Sequence, residues 1–176
     1  MFNVKHLSNG DVELRSYTKA NIANTVKWLN LPAIKSAFGL TYEIDHETHE
    51  KWLMNSLDGS MFIWAIFYKH KHVGDLIIRL KKKHFSSYFQ IYIGEESCQG
   101  KGVASSSLTM CIDYLFNVEK CHRIELHVKS ENVPAIKLYR RFGFEFEGIE
   151  REAVYQDGAF VDQERWALID DGESLQ

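Results

Sequence analysis

Apolar residues follow two different periods along this chain, and each period predicts a different kind of element. Val12 and Leu14 alternate with Glu13 and Arg15, which is the period-two pattern of a half-buried strand. Elsewhere apolar residues recur three or four positions apart, as they do on one face of a helix. The predicted strands cover residues 11–16, 61–68, 73–80, 87–93, 123–129, 144–152 and 160–169. The predicted helices cover 18–28, 48–57 and 132–142. A further predicted helix begins within residues 99–105 and continues to about residue 116.

Proline and glycine mark the breaks between these elements. Pro32 is expected to end the first helix ahead of an irregular segment over residues 33–42. The polar run 69–72 predicts a hairpin turn between two apolar strands. The Asp157-Gly158 pair is typical of a tight turn, so the last two strands are predicted to form a closing hairpin.

Length and charge narrow the class of protein. A chain of 176 residues predicts one domain, which we place at residues 1–169, followed by an acidic and frayed tail at 170–176. The chain is 45% hydrophobic, which is enough for a sizeable core. A formal net charge of −3 lacks the basic footprint of a nucleic-acid-binding protein. No apolar run approaches the length of a membrane span, so no membrane partner is expected.

Cysteine and histidine usage predicts neither a disulfide framework nor a metal site. The chain has three cysteines, an odd number without Cys-x-x-Cys spacing, which predicts free thiols in a reducing cytoplasm. His46 and His49 lie three positions apart and His70 and His72 two apart, but no further ligand pattern accompanies them. We therefore expect no metal.

A glycine-rich turn links the strand at 87–93 to the helix that follows. Glycine permits positive φ and lets the backbone approach a ligand closely. The free N–H groups at a helix start, together with the helix dipole, favour phosphate oxygens. An ordinary strand-to-helix loop is the alternative interpretation. The residues of this turn are Gln99, Gly100, Lys101, Gly102, Val103, Ala104 and Ser105.

A second element about thirty residues downstream favours the phosphate-binding interpretation. Asn132 is a predicted helix N-cap, and Pro134 falls in the first turn, where no donor is lost. Ile136 and Tyr139 recur at helical spacing, and Gly143 is expected to end the helix at the C′ position.

Together the two elements resemble the GNAT N-acetyltransferase superfamily over roughly residues 11–169. The family pattern Gln/Arg-x-x-Gly-x-Gly/Ala, which binds the pyrophosphate of acetyl coenzyme A, is matched by Gln99, Gly102 and Ala104. The downstream family pattern is matched by Asn132, Ala135, Leu138, Tyr139, Gly143 and Phe144. The resemblance implies an α/β (α+β) class and the GNAT acyl-CoA N-acyltransferase fold, a central mixed, mostly antiparallel sheet flanked by helices.

The resemblance also implies a cosubstrate and its binding residues. Acetyl coenzyme A is expected to bind along the backbone of the glycine-rich turn, residues 99–105. Backbone groups of the preceding strand are expected to contribute as well, on a splayed and bulged segment at 91–93 whose N–H would stabilise the thioester oxygen. The further cofactor-binding residues are Tyr92, Ile93, Asn132 and Lys137.

Two side chains are the candidate catalytic residues. In the family the tyrosine that matches Tyr139 protonates the sulfur of coenzyme A, and a phenol is able to protonate a thiolate. His127 occupies the position at which Rim-type members carry a glutamate base, and a free histidine has a pKa near 6.5, which suits proton acceptance at neutral pH. Glu125, on the same strand face, and solvent are weaker alternatives for the base.

The acceptor stays open among three classes of amine. The stretches 99–102 and 129–148 resemble spermidine N-acetyltransferases, and residues 28–34 with 48–49 resemble enzymes that act on nucleotide-linked amino sugars. The whole chain resembles Rim-type enzymes that act on protein N-termini. The expected partner is thus a small-molecule amine or a protein N-terminus, and a homo-oligomer is left open. Carboxylates near the site would suit a polyamine, and the candidates are Glu43, Asp45, Glu47 and Glu50. The alternative function is a non-catalytic coenzyme A-binding or regulatory module of the same fold.

Overall fold

The computed structural model describes residues 4–56 and 59–172 and builds its core on one eight-stranded sheet. The strand order is β1-β2-β3-β4-β5-β6-β8-β7, with antiparallel neighbours except for the parallel pair β5 and β6. The expected central mixed, mostly antiparallel sheet is therefore confirmed. The strands are β1 Leu7–Asn9, β2 Val12–Ser16, β3 Met61–Tyr68, β4 Lys71–Lys81, β5 Ser86–Ile93, β6 Arg123–Val128, β7 Glu145–Gln156 and β8 Ala159–Ile169.

Helices cover both faces of this sheet. Helix α1 packs against α3 and β4, whereas α4 packs against β1, β2 and β5. Side chains that are almost completely buried, such as Trp64, Leu76 and Leu115, fill the space between the sheet and α4. The helices are α1 Ile22–Leu29, α2 Pro32–Ala37, α3 His46–Asn55, α4 Val103–Asn117 and α5 Val133–Arg141.

The prediction of an irregular segment after Pro32 is wrong. Pro32 begins helix α2, because a proline in the first turn has the φ angle of a helix and loses no hydrogen bond there. Helix α3 begins two residues earlier than predicted, since the side chain of Asp45 accepts a hydrogen bond from the backbone N–H of Thr48 at 2.7 Å and caps the helix. The predicted end of this helix, residue 57, lies outside the described residues.

The closing hairpin is longer than the sequence pattern indicates. Asp157 and Gly158 both have positive φ, as a two-residue hairpin turn requires. Strand β7 continues to Gln156, but its register with β8 shifts between Glu150 and Val154. This irregularity breaks the alternation of apolar and polar residues, which explains why the predicted strand stops at residue 152.

The end of the described chain stays in contact with the sheet. Strand β8 ends at Ile169, where the predicted domain also ends, and the backbone N–H of Asp170 donates to the carbonyl of His122 at 2.9 Å. The rest of the predicted frayed tail lies mainly outside the described residues. Among the helices of residues 4–56 and 59–172, none is long and apolar enough to cross a membrane.

Candidate active site

The sheet opens between its two parallel strands. Strands β5 and β6 pair only where Ser86–Tyr88 meets Arg123–Glu125. Beyond this point β5 continues to Ile93 along β4, and β6 continues to Val128 along β8. The two strands therefore diverge and leave a wedge-shaped gap whose walls carry backbone groups without a sheet partner on that side. This gap is called the strand opening below.

The glycine-rich turn lies at the wide end of the strand opening. Gly100 and Gly102 have φ of +73° and +78°, and a Cβ at either position would have open space around it. Backbone conformation, rather than crowding, therefore requires glycine here. Gly102 is the N-cap of α4, and among the described residues no side chain caps this helix. The first N–H groups of α4 are thus available to an anion.

The predicted cofactor residues lie on the glycine-rich turn, at the end of β5 and on α5. The Gln99 side chain donates to the carbonyl of Ile93 at 3.0 Å and fastens the turn to the end of β5. Asn132 accepts a hydrogen bond from the N–H of Ala135 at 3.3 Å, which confirms the predicted N-cap. Lys101 and Lys137 are exposed side chains on the turn and on α5.

Arg141 is a residue near this site that the sequence analysis missed. Its guanidinium donates to the hydroxyl of Ser105 at 3.2 Å, in the first turn of α4. A cation beside a helix N-terminus is unfavourable unless an anion sits between them. In the sequence, the only indication of this basic residue is the pair Arg140-Arg141 ahead of Gly143. Of the two, Arg140 does not reach the site, because its guanidinium lies over the ring of Trp166. Arg141 thus adds positive charge where a phosphate is expected.

Tyr139 belongs to α5 and packs against one face of the sheet. It is 7% exposed and packs edge-on against Phe89 of β5, with a tilted contact to Phe144. Burial, and next the charge that Tyr88 would carry, raise the pKa of Tyr139 well above that of a free phenol. The hydroxyl therefore keeps its proton at neutral pH, as a proton donor must.

His127 approaches from the other face. It lies on β6 beyond the last residue paired with β5, and its ring contacts that of Tyr88 at 5.3 Å. Because successive strand residues point to opposite faces, Tyr88 and Phe89 place His127 and Tyr139 on opposite sides of the strand opening. The Nε2 atom of His127 is 3.5 Å from a carboxylate oxygen of Glu150.

Glu125, the alternative base, is committed to other partners. It is 5% exposed and contacts Lys81, Arg123 and Arg165. Burial alone would raise the pKa of Glu125, but the hydrogen bond and charge of Lys81, followed by those of Arg123, outweigh it and lower the pKa. A carboxylate held ionised in this way is a weak proton acceptor, which leaves His127 as the better placed group.

A cavity of about 200 Å³ adjoins the same face as His127. Helices α1 and α3 and the segment around α2 cover it, while β3, β4 and β5 form its floor. Its lining is mostly aromatic and aliphatic, with Phe38, Tyr42 and Trp52 among the walls. Such a pocket suits the body of a small acceptor molecule.

A buried hydrogen-bond network forms the inner wall of the cavity. Asp75 is 1% exposed, and its carboxylate accepts from Thr25 at 2.7 Å and from the Tyr92 hydroxyl. The ring of His72 lies 2.9 Å from the other carboxylate oxygen. The network continues from Thr25 to Tyr17 at 2.8 Å. In the sequence, this network is indicated only by Asp75, a single aspartate inside the apolar run 73–78, and no prediction above was based on it.

The expected bulge at residues 91–93 is wrong. Strand β5 pairs regularly with β4 up to Gly74 and Ile93, and the nearby register shift lies between Ile66 and Phe67 of β3. The splay itself is present, but it arises because β6 leaves β5. The Tyr92 side chain points to Asp75, so a cofactor contact of Tyr92 or Ile93 remains a prediction about their backbone groups.

The four acidic residues suggested for a polyamine are already paired. Glu43 contacts Lys35, Glu47 contacts Lys51 and Glu50 contacts Lys19. Asp45 caps α3. The described cavity lining includes none of the four.

The model of the acetyltransferase (GNAT) domain family matches residues 14–164, which is most of the chain. The chain belongs to the GNAT acetyltransferase family. Both motifs discussed above fall inside this match, so the GNAT resemblance is confirmed.

Curated relatives come from bacteria. The spermidine N(1)-acetyltransferase of Vibrio cholerae is 37% identical over 93 residues, 53% of each chain. The L-amino acid N-acetyltransferase of Escherichia coli is 34% identical over 93 residues, which cover 51% of this chain and 57% of the relative. The GNAT chain thus spans about half the length of the curated relatives it matches.

Solved structures share the GNAT fold over the whole chain. A spermidine N-acetyltransferase from Vibrio cholerae, in complex with coenzyme A and spermine, superposes with a TM-score of 0.86 at 24% identity. It covers 96% of this chain and 100% of its own. A ribosomal L7/L12 alpha-N-protein acetyltransferase in complex with coenzyme A has a TM-score of 0.83 at 19% identity, with 96% and 100% covered.

Proposed function

We propose that the protein transfers an acetyl group from acetyl coenzyme A to a primary amine by direct attack. The observation that carries this proposal is the strand opening, which has a free helix N-terminus at its wide end and one candidate proton-transfer group on each face. A thioester in the opening would be accessible to an amine from the cavity side. The leaving sulfur would face Tyr139 on the other side.

Coenzyme A would be held mainly by the backbone. The N–H groups of Val103, Ala104 and Ser105 begin α4 and would bind the pyrophosphate, with Arg141 and Lys101 adding charge. Unpaired backbone groups of β5 beyond Tyr88 would bind the acyl arm. In the described part of the chain no cluster of three or more metal-ligating side chains occurs, and the proposed reaction uses none.

The two side chains divide the proton transfers. His127 would accept a proton from the amine, directly or through water, as the nitrogen–carbon bond forms. The carbon–sulfur bond then breaks, its electron pair stays on sulfur, and the Tyr139 hydroxyl protonates the thiolate. Tyr139 regains its proton from solvent, which its raised pKa favours.

The acceptor is a small-molecule amine or a protein N-terminus. Named relatives act on spermidine and on L-amino acids, and a solved GNAT neighbour acts on a ribosomal protein. Free thiols at Cys98, Cys111 and Cys121 suit a reducing compartment such as the cytoplasm. A homo-oligomer remains an open part of this proposal.

An acetyl coenzyme A-dependent thiol-release assay over a panel of amines tests the proposal. Calorimetric titration with acetyl coenzyme A is run beside it. We expect binding together with release for at least one amine. Binding without release for any amine would favour the non-catalytic coenzyme A-binding module instead.

Replacing Gly102 with valine should weaken acetyl coenzyme A binding at least tenfold, about 1.4 kcal/mol. Open space surrounds a Cβ here, so the penalty arises because a β-branched residue disfavours φ of +78° at the start of α4. Calorimetry measures the affinity. Gly10→Val, at a second open glycine with φ of +61°, controls for strain alone. Equal affinity in wild type and a folded Gly102→Val variant would contradict the assignment.

His127 should control the acidic limb of the pH–rate profile. Activity is expected to rise as pH increases through the range in which imidazole loses its proton, because only neutral imidazole accepts one. His127→Ala should flatten or move this limb and leave acetyl coenzyme A affinity nearly unchanged. His84→Ala, at an exposed histidine in the turn before β5, is the matched control. A profile of unchanged shape together with a lower melting temperature would assign His127 a packing role.

A further inference from the structure

Arg79 carries a positive charge into the acceptor cavity without a partner. It lies on β4 and is exposed, and its side chain lines the cavity together with Gln90. Among residues 4–56 and 59–172, no hydrogen bond or ion pair reaches the Arg79 guanidinium. A planar group with five donors is left available to a ligand.

Two other arginines of this sheet face have carboxylate partners. Arg123 pairs with Glu125 and Glu147, and Arg165 lies within 4 Å of the same two carboxylates. Acidic residues are therefore present nearby, but they hold other cations. Arg79 is set apart from this network and faces the cavity instead.

The register of the sheet places Arg79 next to the reacting end of the site. Arg79 is directly opposite Tyr88 on β5, and Tyr88 is the last β5 residue paired with β6. Tyr88 also contacts the ring of His127. A group bound by Arg79 would thus lie on the same face of the sheet as His127, with Tyr88 of β5 between the two residues.

Among the described lining residues, the cavity has no carboxylate that is free to bind a positively charged acceptor. In the described part of the chain its lining includes one carboxylate, Asp75, whose oxygens already accept from Thr25, Tyr92 and His72. The acidic residues near the mouth are paired or cap a helix. A polyamine would bring two or more charges to a site whose one unpaired charged group is also positive.

We propose that Arg79 recognises an anionic group on the acceptor, so that the substrate is an amine that also bears a carboxylate or a phosphate. This inference rests on the proposed acetyl transfer and names its substrate class. Guanidinium binds both anions through paired, charge-assisted hydrogen bonds. The aromatic walls around Phe38 and Trp52 would hold the uncharged body of the same molecule.

Matched pairs of amines test this assignment. Phenylalanine is compared with phenethylamine, and glucosamine 6-phosphate with glucosamine, with spermidine as a cationic reference. We expect wild type to prefer at least one member that bears the carboxylate or phosphate about tenfold or more in kcat/KM over its counterpart without that group and over spermidine. The pair that shows the preference identifies carboxylate or phosphate as the source of the anion.

Arg79→Gln should reduce this preference to within about threefold of unity, mainly through KM. Arg79→Lys should restore part of it, because the charge returns without the planar fork. Arg151→Gln, at an exposed arginine of β7 outside the cavity lining, should keep the wild-type preference. A wild-type preference for spermidine, or a preference that survives in Arg79→Gln, would overturn the proposal.

Binding separates this inference from the proposed function. Calorimetric titration of the same five compounds, with coenzyme A present, gives the ratio of affinities even where no thiol is released. Absence of release for every compound counts against acetyl transfer. The same affinity for both members of each pair counts against Arg79 as the anion-binding residue.

Discussion

Tyr139→Phe should lower kcat by roughly 10²-fold while leaving the fold and the affinity for acetyl coenzyme A intact. The ring packs against Phe89 and Phe144, and phenylalanine keeps those contacts. Only the hydroxyl is lost, and with it the proposed proton donor for the thiolate. Steady-state kinetics and calorimetry measure the two quantities.

A matched tyrosine controls for the loss of a buried hydroxyl. Tyr114 in α4 is also 7% exposed, but its hydroxyl donates to Glu119 at 3.0 Å, away from the strand opening. Tyr114→Phe should therefore reduce stability slightly and leave kcat unchanged. If Tyr139→Phe turned over at the wild-type rate, the sulfur would have to be protonated by solvent or by another group.

The pH dependence offers a second check on the same residue. The pKa of Tyr139 is raised, so the hydroxyl should stay protonated well past the range in which a free phenol ionises. Activity should consequently show no loss from Tyr139 ionisation as pH rises from 7 to about 9.

The sequence correctly predicts those strands and helices whose limits are set by residues that are neighbours in the chain. Strand β3 runs from Met61 to Tyr68 as predicted, because eight apolar or aromatic residues stand between turn signals. Helix α5 begins after Asn132 and ends before Gly143, where a cap and a positive φ determine its limits. The segment after Pro32 was predicted wrongly, because proline breaks the interior of a helix but is equally suited to the first turn of one.

The candidate site likewise contains residues that local motifs predict and residues that they do not. The glycine-rich turn and Tyr139 lie in contiguous motifs, so the sequence predicts them with their neighbours. Asp75 and Arg79 depend on contacts that span the chain, such as Asp75 with Thr25 across fifty positions. No periodic pattern reveals which buried aspartate finds three donors, or which arginine finds no carboxylate. Those features line the acceptor cavity, and the sequence alone left three classes of amine open.

The composition of the cavity also limits what can be transferred from the relatives. The named spermidine N(1)-acetyltransferases match about half of this chain, whereas the family model over residues 14–164 includes the motifs that would bind coenzyme A. The proposed acceptor cavity is lined by side chains of α1, α3 and β4 among others. Shared cofactor motifs therefore support the proposed reaction more strongly than they support a shared amine.

Asp75→Ala should lower the free energy of unfolding by about 3 kcal/mol. Its carboxylate accepts hydrogen bonds in a site that is 1% exposed, and its removal leaves donors on Thr25 and Tyr92 without an acceptor. The His72 ring, 2.9 Å from Asp75, loses its carboxylate partner as well. For a chain of this size the loss corresponds to a melting temperature about 6–12 °C lower.

Denaturant unfolding and thermal melting measure this effect, with Asp113→Ala as the control. Asp113 is exposed on α4 and accepts a hydrogen bond from Asn117 at 2.9 Å, so its loss should cost at most about 0.5 kcal/mol. Asp75→Asn keeps the size and one acceptor oxygen, and should lie between the two. It also allows kinetics if Asp75→Ala does not fold.

Because Asp75 supports the cavity wall rather than the cofactor site, Asp75→Asn should raise KM for the amine more than it changes acetyl coenzyme A affinity. Equal stability of Asp75→Ala and Asp113→Ala would show that the network contributes little to the fold.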